Sequence, residues 1–356
     1  MRIGITTSGG DCAGLNAAIY GVIKSAAKLS SSHKKKFEIL GLRGGFDALY
    51  QEAPLEILDL QIIKGLVKEG GTILGTSNKG SPFRDPNTKD KMIAKMIMGA
   101  KNHRLDGVIV IGGEGSHGMA KHLLNHGLKF IGIGKTIDND MMGNDKTIGF
   151  ASAVETAVQA AERIVCTAKS HQRIMLLEVM GRDSGFLALE SGLASEADFI
   201  LLPEFPFVLE NLGAYCKQLI AHQGFGLGVV SEGAKVLGGA QVFSKTGAVK
   251  EKLGGIGDQL ALDLWTKFNV EARSVKLGHI QRGGSPIASD RILALQLGVR
   301  AIEAMLNPNT SDTLIACQNN QFVEIPYAEI SFEQKRKLSA TDALYLSAQK
   351  LGVFLG

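Results

Sequence analysis

Three glycine clusters that also carry carboxylates or hydroxyls punctuate the first 140 residues. They are Gly9-Gly10-Asp11, Gly112-Gly113-Glu114-Gly115-Ser116 and Gly134-Lys135-Thr136-Ile137-Asp138-Asn139-Asp140. Each follows a short apolar run. Glycine lets backbone N–H groups approach phosphate oxygens, and the N-terminus of a following helix favours the negative charge. One glycine pair alone is equally a tight turn; three clusters bearing carboxylates point to a phosphate and metal site. Asp138 and Asp140, two residues apart in one extended loop, suit two roles. One carboxylate can act as a general base while the other holds a divalent cation, directly or through water. Glu114 is a third hard oxygen ligand. In isolation the same Asp pair would be an Asx turn capping a helix.

Further along come Met180-Gly181-Arg182, Ser231-Glu232-Gly233-Ala234 and the run from Leu277 to Pro286. Arg182, Arg273, His279 and Arg282 fall at the ends of predicted strands. Arg173 begins its strand and so faces the opposite rim or another subunit. One arginine at a strand end is commonly a surface ion-pair residue, but several beside glycines fit bidentate phosphate recognition. Two motifs mislead. Gly134-Lys135-Thr136 ends like a Walker loop, yet the position that must be glycine is Lys129. Gly113, Gly115 and Gly118 fit a dinucleotide fingerprint, with Asp138 the following acid, which leaves a Rossmann oxidoreductase as an alternative. That acid, however, sits in a Thr-Ile-Asp-Asn-Asp loop rather than closing a strand.

Such loops need strands to end on and helices to begin. The apolar pattern predicts strands over 2–7, 37–42, 107–111, 130–133, 174–179, 199–202, 226–230 and 272–277. It predicts helices over 15–28, 90–100, 118–125, 151–168, 258–268, 291–305 and 332–351. Continuous apolar strands alternating with helices predict doubly wound, mainly parallel α/β sheets, with ligands at the strand carboxyl ends. The length, 356 residues, suggests two domains. The clearest composition break is 141–150, and 238–257 is a second.

Composition narrows the function classes. A net charge of +4 is too mild for binding nucleic acid by bulk charge. Glycine is in excess, 44 of 356 or about 12 % against a usual ~7 %. No apolar run approaches membrane-spanning length, and Cys12, Cys166, Cys216 and Cys317 form no CxxC pair. The expectation is a cytoplasmic protein with reduced thiols and neither nucleic-acid nor membrane partners.

The runs GGDCAGLN, GGTILGTSN, IGGEGS, GKTIDND, TIGF, MGRDSGFLAL, SEGA and LGHIQRGGSPIASDRILA, spread over residues 9–294, resemble the phosphofructokinase family. The resemblance implies phosphoryl transfer to the 1-hydroxyl of fructose 6-phosphate, Mg²⁺ as cofactor, and a homo-oligomer, dimer or tetramer. It also implies two doubly wound domains: 1–149 plus 281–333 for the donor, and 150–280 plus 334–356 for fructose 6-phosphate. Carried over by motif, Asp138 is the base that takes the sugar hydroxyl proton. Thr136 and Arg182 hold the transferring group, and Glu114 and Asp140 hold the metal. Gly10, Gly113, Glu114, Gly115, Ser116, Arg84 and Lys135 line the donor phosphates. Met180, Gly181 and Glu232 contact the sugar. His279 and Arg282 bind the 6-phosphate, joined by Arg173 and Arg273 of a neighbouring subunit.

Several positions depart from the family pattern. Ala13 replaces a usual Pro, Glu114 a usual Asp, and Asn78 an Arg common in ATP users. Tyr20 replaces an Arg of effector-regulated bacterial members. The donor signals are mixed. Gly115 is the ATP-type residue, because a carboxylate there would occupy and repel the α-phosphate, whereas Lys135 is the pyrophosphate-type residue. The steric argument favours ATP, with pyrophosphate the alternative. A sugar-phosphate sensor without catalysis would not need Asp138, Asp140, Glu114 and Arg182 together. Asp138→Asn should leave folding intact and lower kcat by about 10²-fold or more. A steady-state assay showing a fall below about fivefold would remove Asp138 from the role of base.

Overall fold

The structure is a computed structural model that describes residues 1–33, 36–50, 54–77, 83, 85–246 and 250–356. Its strands are β1 (Arg2–Ser8), β2 (Glu38–Leu42), β3 (Glu56–Leu58), β4 (Gly107–Gly112), β5 (Lys129–Gly134), β6 (Ile174–Val179), β7 (Phe199–Leu201), β8 (Gly226–Ser231), β9 (Phe243–Thr246), β10 (Lys250–Leu253), β11 (Ala272–Lys276), β12 (Thr313–Gln318) and β13 (Gln321–Pro326). Its α-helices are α1 (Leu15–His33), α2 (Asp47–Tyr50), α3 (Pro86–Asn102), α4 (Glu114–Lys121), α5 (Phe150–His171), α6 (Phe186–Ala194), α7 (Leu209–Gln223), α8 (Ile256–Phe268), α9 (Ala288–Leu306) and α10 (Ala343–Lys350). The chain divides into two compact units. The first holds Met1–Ile137, Met141–Ala151 and Arg282–Gln334; the second holds Asp138–Asp140, Ser152–Gln281 and Lys335–Gly356.

The first unit carries a seven-stranded sheet in the order β13-β12-β5-β4-β1-β2-β3. Its five central strands run parallel, and β3 and β13 close the edges antiparallel. On one face Leu40, Leu42, Val108 and Val110 pack with Met96, Ile97 and Ala100 of α3 and Ala120 of α4. The alternate residues Ile39, Ile109 and Ile111 point to the other face and are also buried, so the strands read as unbroken apolar runs. Helices α1 and α9 pack together through glycine. A Cβ on Gly298 would lie 2.5 Å from the Ala18 carbonyl oxygen, and one on Gly21 2.6 Å from that of Leu295. The second unit carries a four-stranded, wholly parallel sheet, β11-β6-β8-β7. Ile174, Leu176, Leu201 and Val230 face Leu212 of α7 and Leu260 and Leu264 of α8. Each such side chain contributes ~1.5–3 kcal/mol on burial.

Most helix boundaries expected from the sequence shift by one to five residues. Helix α3 begins earlier because Asp85 caps it, accepting from Asn87 N at 3.0 Å. The expected helix over 332–351 is a larger departure, since only α10 is helical there. The interruption is written in Ser339, Thr341 and Asp342. The Asp342 carboxylate accepts from Ser339 N at 2.6 Å and the Ser339 hydroxyl from Thr341 N at 3.2 Å, bonds that compete with helix. Strands β12 and β13 were not expected. Asn319 and Asn320, at φ 49° and 59°, form the tight hairpin turn between them. Gly298→Ala adds a better helix former, worth ~1 kcal/mol. The clash with the α1 backbone should nonetheless win and lower stability by about 1–3 kcal/mol, read as the denaturant midpoint.

Candidate active site

In the first unit the loops after β1, β4 and β5 converge. Lys135 follows β5, and its N–H donates to Gly112 O at 2.9 Å. Its side chain is buried, and its ammonium donates to the carbonyl oxygen of Gly10. Burial pulls the Lys135 pKa below the ordinary lysine value. Arg282 reaches the same loop, donating to Asp11 O at 2.9 Å. A Cβ on Gly10 would lie 2.5 Å from that guanidinium, so a larger residue there would have to push the end of Arg282 aside. Ser116 is buried beneath Gly112. Helix α4 starts at Glu114 with Gly113 as its N-cap, directly on the carboxyl end of β4 and four residues earlier than expected. Its first N–H groups and Glu114 therefore lie at the sheet edge where an anion would be received. A Cβ on Gly115 would meet nothing within 4 Å. A cleft of about 780 Å³ opens beside it, lined by Glu114, Gly115, Gly118, Met119 and residues 328–333. Thr136 accepts from the Thr147 hydroxyl through its carbonyl oxygen at 2.7 Å.

His117, which the sequence reading passed over, ties this region together. Its Nε2 donates to Gly112 O at 2.9 Å and lies 3.2 Å from Ile133 O, and the Tyr327 hydroxyl lies 2.8 Å from Nδ1. One ring thus links the ends of β4 and β5 to the segment after β13. Burial drives its pKa from the ordinary 6.5 down to about 4, so it is neutral at physiological pH.

In the second unit Asp138, Asn139 and Asp140 form one loop in which Asn139 and Asp140 are buried and Asp138 is half-buried, with Asn139 at φ 51°. The Ser184 hydroxyl donates to Asp138 O at 3.3 Å. The ammonium of Lys335 stands 2.8 Å from Asp140 Oδ2 and 3.4 Å from Asp183 Oδ2. Arg182, next to Asp183, keeps 69 % of its side chain exposed. Gly181 must be glycine, at φ 126° with Ser184 O 2.5 Å from a notional Cβ. Met180 N–H donates to Gln281 Oε1 at 3.3 Å, and Glu232 N–H to Val179 O at 2.8 Å. Met180, Gly181, Arg182 and Glu232 therefore gather at the carboxyl ends of β6 and β8. His279 lies in the short 3-10 turn after β11.

Arg173 and Arg273 lie elsewhere. Each places a guanidinium nitrogen 3.3 Å from Glu271 Oε1. Both stand where β6 and β11 begin, opposite the edge holding Met180 and Glu232; a strand of six residues puts roughly 20 Å between the two edges. Arg273 thus joins Arg173 rather than His279. Arg84 and Asn78 lie outside the described residues. Besides His117, the sequence reading missed Lys335 and Glu204. The capping residues from Ser339 onward could have revealed Lys335 by breaking the expected helix.

A phosphofructokinase family model matches residues 2–305. The chain belongs to the phosphofructokinase family. It is 38 % identical over 360 residues to a Chloroflexus aggregans protein named ATP-dependent 6-phosphofructokinase, covering 100 % of this chain and 98 % of that one. An Amycolatopsis methanolica protein named pyrophosphate–fructose 6-phosphate 1-phosphotransferase is 37 % identical over 342 residues, covering 94 % of this chain and 96 % of its own. Among solved structures, Pichia pastoris phosphofructokinase in the T-state matches with TM-score 0.79 and 30 % identity over 92 % of this chain, which spans 35 % of that longer one.

His117 gives a pH test. Its unfolded form takes up a proton near 6.5 and its folded form only near 4, so its penalty is absent above 6.5 and grows as pH falls between the two. Wild-type stability should lose up to about 1.4 kcal/mol per pH unit there from this residue. In His117→Gln this part of the slope should vanish, as measured by urea melts at pH 7, 6 and 5.

Proposed function

We propose that the protein transfers a phosphoryl group from ATP to the 1-hydroxyl of fructose 6-phosphate, giving fructose 1,6-bisphosphate in glycolysis. The first unit takes the donor and the second the sugar phosphate. The observation that carries the donor reading is the open space at Gly115, beside a cleft of about 780 Å³. Pyrophosphate would leave most of that volume empty, whereas a nucleoside triphosphate has the bulk to use it. Lys135 favours the alternative donor, and relatives named for both donors stand at 38 % and 37 % identity.

Asp138 accepts the proton of the attacking hydroxyl, so that the oxygen is anionic as it meets phosphorus. Thr136 and Arg182 hold the transferring group, and the exposed positive head of Arg182 stabilises charge gathering on its oxygens. Gly10, Gly113, Gly115 and Ser116 let backbone N–H groups close on the donor phosphates, and Lys135 neutralises the departing one. Met180, Gly181 and Glu232 orient the sugar; His279 and Arg282 bind its 6-phosphate. Arg173 and Arg273 complete the 6-phosphate site of a second copy, which their place at the far strand edge supports. The active form is then a homo-oligomer.

The family's chemistry is metal-dependent, and the residues suit Mg²⁺. Asp140 and Glu114 are hard oxygen donors, and Asp140 already holds a cation, the Lys335 ammonium at 2.8 Å. Asp140 and Glu114 would hold the ion, which when bound neutralises charge on the donor phosphates. The proposed site of action is the cytoplasm. No helix among the described residues is long and apolar enough to cross a membrane.

The donor is tested with three proteins. Wild type should use MgATP, and Gly115→Asp should abolish that use while folding normally, because the new side chain enters open space. Its charge against the α-phosphate in a low-dielectric site is the cause. Pyrophosphate, which has no α-phosphate, should still be accepted. Lys135→Gly should damage any pyrophosphate activity more than ATP activity. Wild-type turnover with pyrophosphate alone, in kcat/KM comparisons, would overturn ATP as the donor.

A further inference from the structure

The segment from Lys335 to Leu338 grips the Asp138–Asp140 loop at several points. Lys335 Nζ bridges Asp140 Oδ2 at 2.8 Å and Asp183 Oδ2 at 3.4 Å. The backbone N–H of Arg336 donates to Asp140 O at 2.7 Å, and its guanidinium reaches Asn139 O at 3.5 Å. That guanidinium also lies 4.3 Å from the ring centre of Phe186. Leu338 N–H donates to Glu204 Oε1 at 3.0 Å, the oxygen that also takes Gly185 N–H at 3.0 Å. The segment is therefore anchored where α6 begins and reaches out to the loop. The bridge is not a pair of surface charges. The Asp140 side chain is 2 % exposed and that of Lys335 30 %, and a buried carboxylate deprived of its cation is costly, unlike an exposed one.

We propose that Lys335 is a positioning residue for phosphoryl transfer. Its ammonium fixes the Asp140 carboxylate, and through one intervening residue in a left-handed conformation it fixes where Asp138 presents its own. By spanning to Asp183 it also sets Arg182, the neighbouring residue, relative to the same loop. Base and phosphoryl-holding cation thus share one electrostatic staple. A displacement of about 1 Å at a reacting group costs on the order of 10²-fold in rate, so the staple acts on turnover rather than on affinity.

This inference rests on reading Asp138 as the base of a fructose 6-phosphate kinase. The test uses the full chain as wild type, Lys335→Met, Lys335→Arg, Asp140→Asn and the double variant Asp140→Asn/Lys335→Met. Lys335→Met should lower kcat by about 10–100-fold with KM for both substrates within about threefold. Lys335→Arg, which keeps the charge, should recover most of the loss. The double variant should fall well short of the product of the two single losses, because most of the effect of Lys335 passes through Asp140. If Lys335→Met does not fold, as judged by its melting curve, Lys335→Gln takes its place. Three results overturn the inference: kcat of the neutral variant within about twofold of wild type, losses that multiply fully in the double variant, or a rise in KM with kcat unchanged. Wild type forming no fructose 1,6-bisphosphate with either donor sinks the functional reading itself. An active wild type beside an equally active neutral variant sinks only the role of Lys335.

Discussion

Asp140 is a carboxylate with almost none of its surface in water, and the second unit is arranged around that constraint. Its charge is met by Lys335 at 2.8 Å and its backbone oxygen by the N–H of Arg336 at 2.7 Å. Burying an ion without such partners costs several kcal/mol. The residues that prevent this cost come from a segment distant in sequence, and that segment needs its own anchor, Glu204. Glu204 in turn holds the start of α6 through Gly185. Burial raises the Glu204 pKa, which backbone donors, first those of Leu338 and Gly185, partly offset. One desolvated charge thus organises a chain of contacts from the loop to the second unit's helices.

The first unit solves a related problem with neutral and cationic groups. Parallel strands leave carbonyl oxygens at their carboxyl ends, where the ladder stops and a ligand is to be received. His117 serves Gly112 O with its Nε2 and lies close to Ile133 O, and the buried ammonium of Lys135 serves Gly10 O. The loops are held from below, which leaves backbone N–H groups such as those at the start of α4 facing outward. The two glycines differ in their surroundings: the end of Arg282 lies against Gly10, and nothing stands within 4 Å of where a Cβ on Gly115 would be.

How much of this was legible in the sequence depended on where the signal was local. The strand at Gly107–Gly112 is an unbroken apolar run and that at Ile174–Val179 is broken only by Glu178; the second stands as read and the first runs one residue further. The family was legible because TIDND and QRGGSP each bring several unusual residues into a fixed spacing. Less was legible where the partner is distant. A lysine among Lys335, Arg336 and Lys337 looks like a solvated charge run until its neighbour is known to be Asp140. His117 looks like any polar helix residue until the carbonyls below it are counted. Strands β12 and β13 were missed although Asn319-Asn320 is a local signal, because the apolar stretch of β12, Leu314 to Cys317, is short and β13 is mixed in polarity.

The grip on the Asp138–Asp140 loop has a consequence for how the chain is made. Asn139 and the arginine that reaches it lie 197 residues apart. A ribosome adding about 5–20 residues per second needs roughly 10–40 s to travel from one to the other. Through that interval the loop has emerged and its staple does not yet exist. The nascent chain therefore carries Asp138 and Asp140 without the contacts that hold their loop, and that loop takes its final form late and in one step, when a short basic segment arrives.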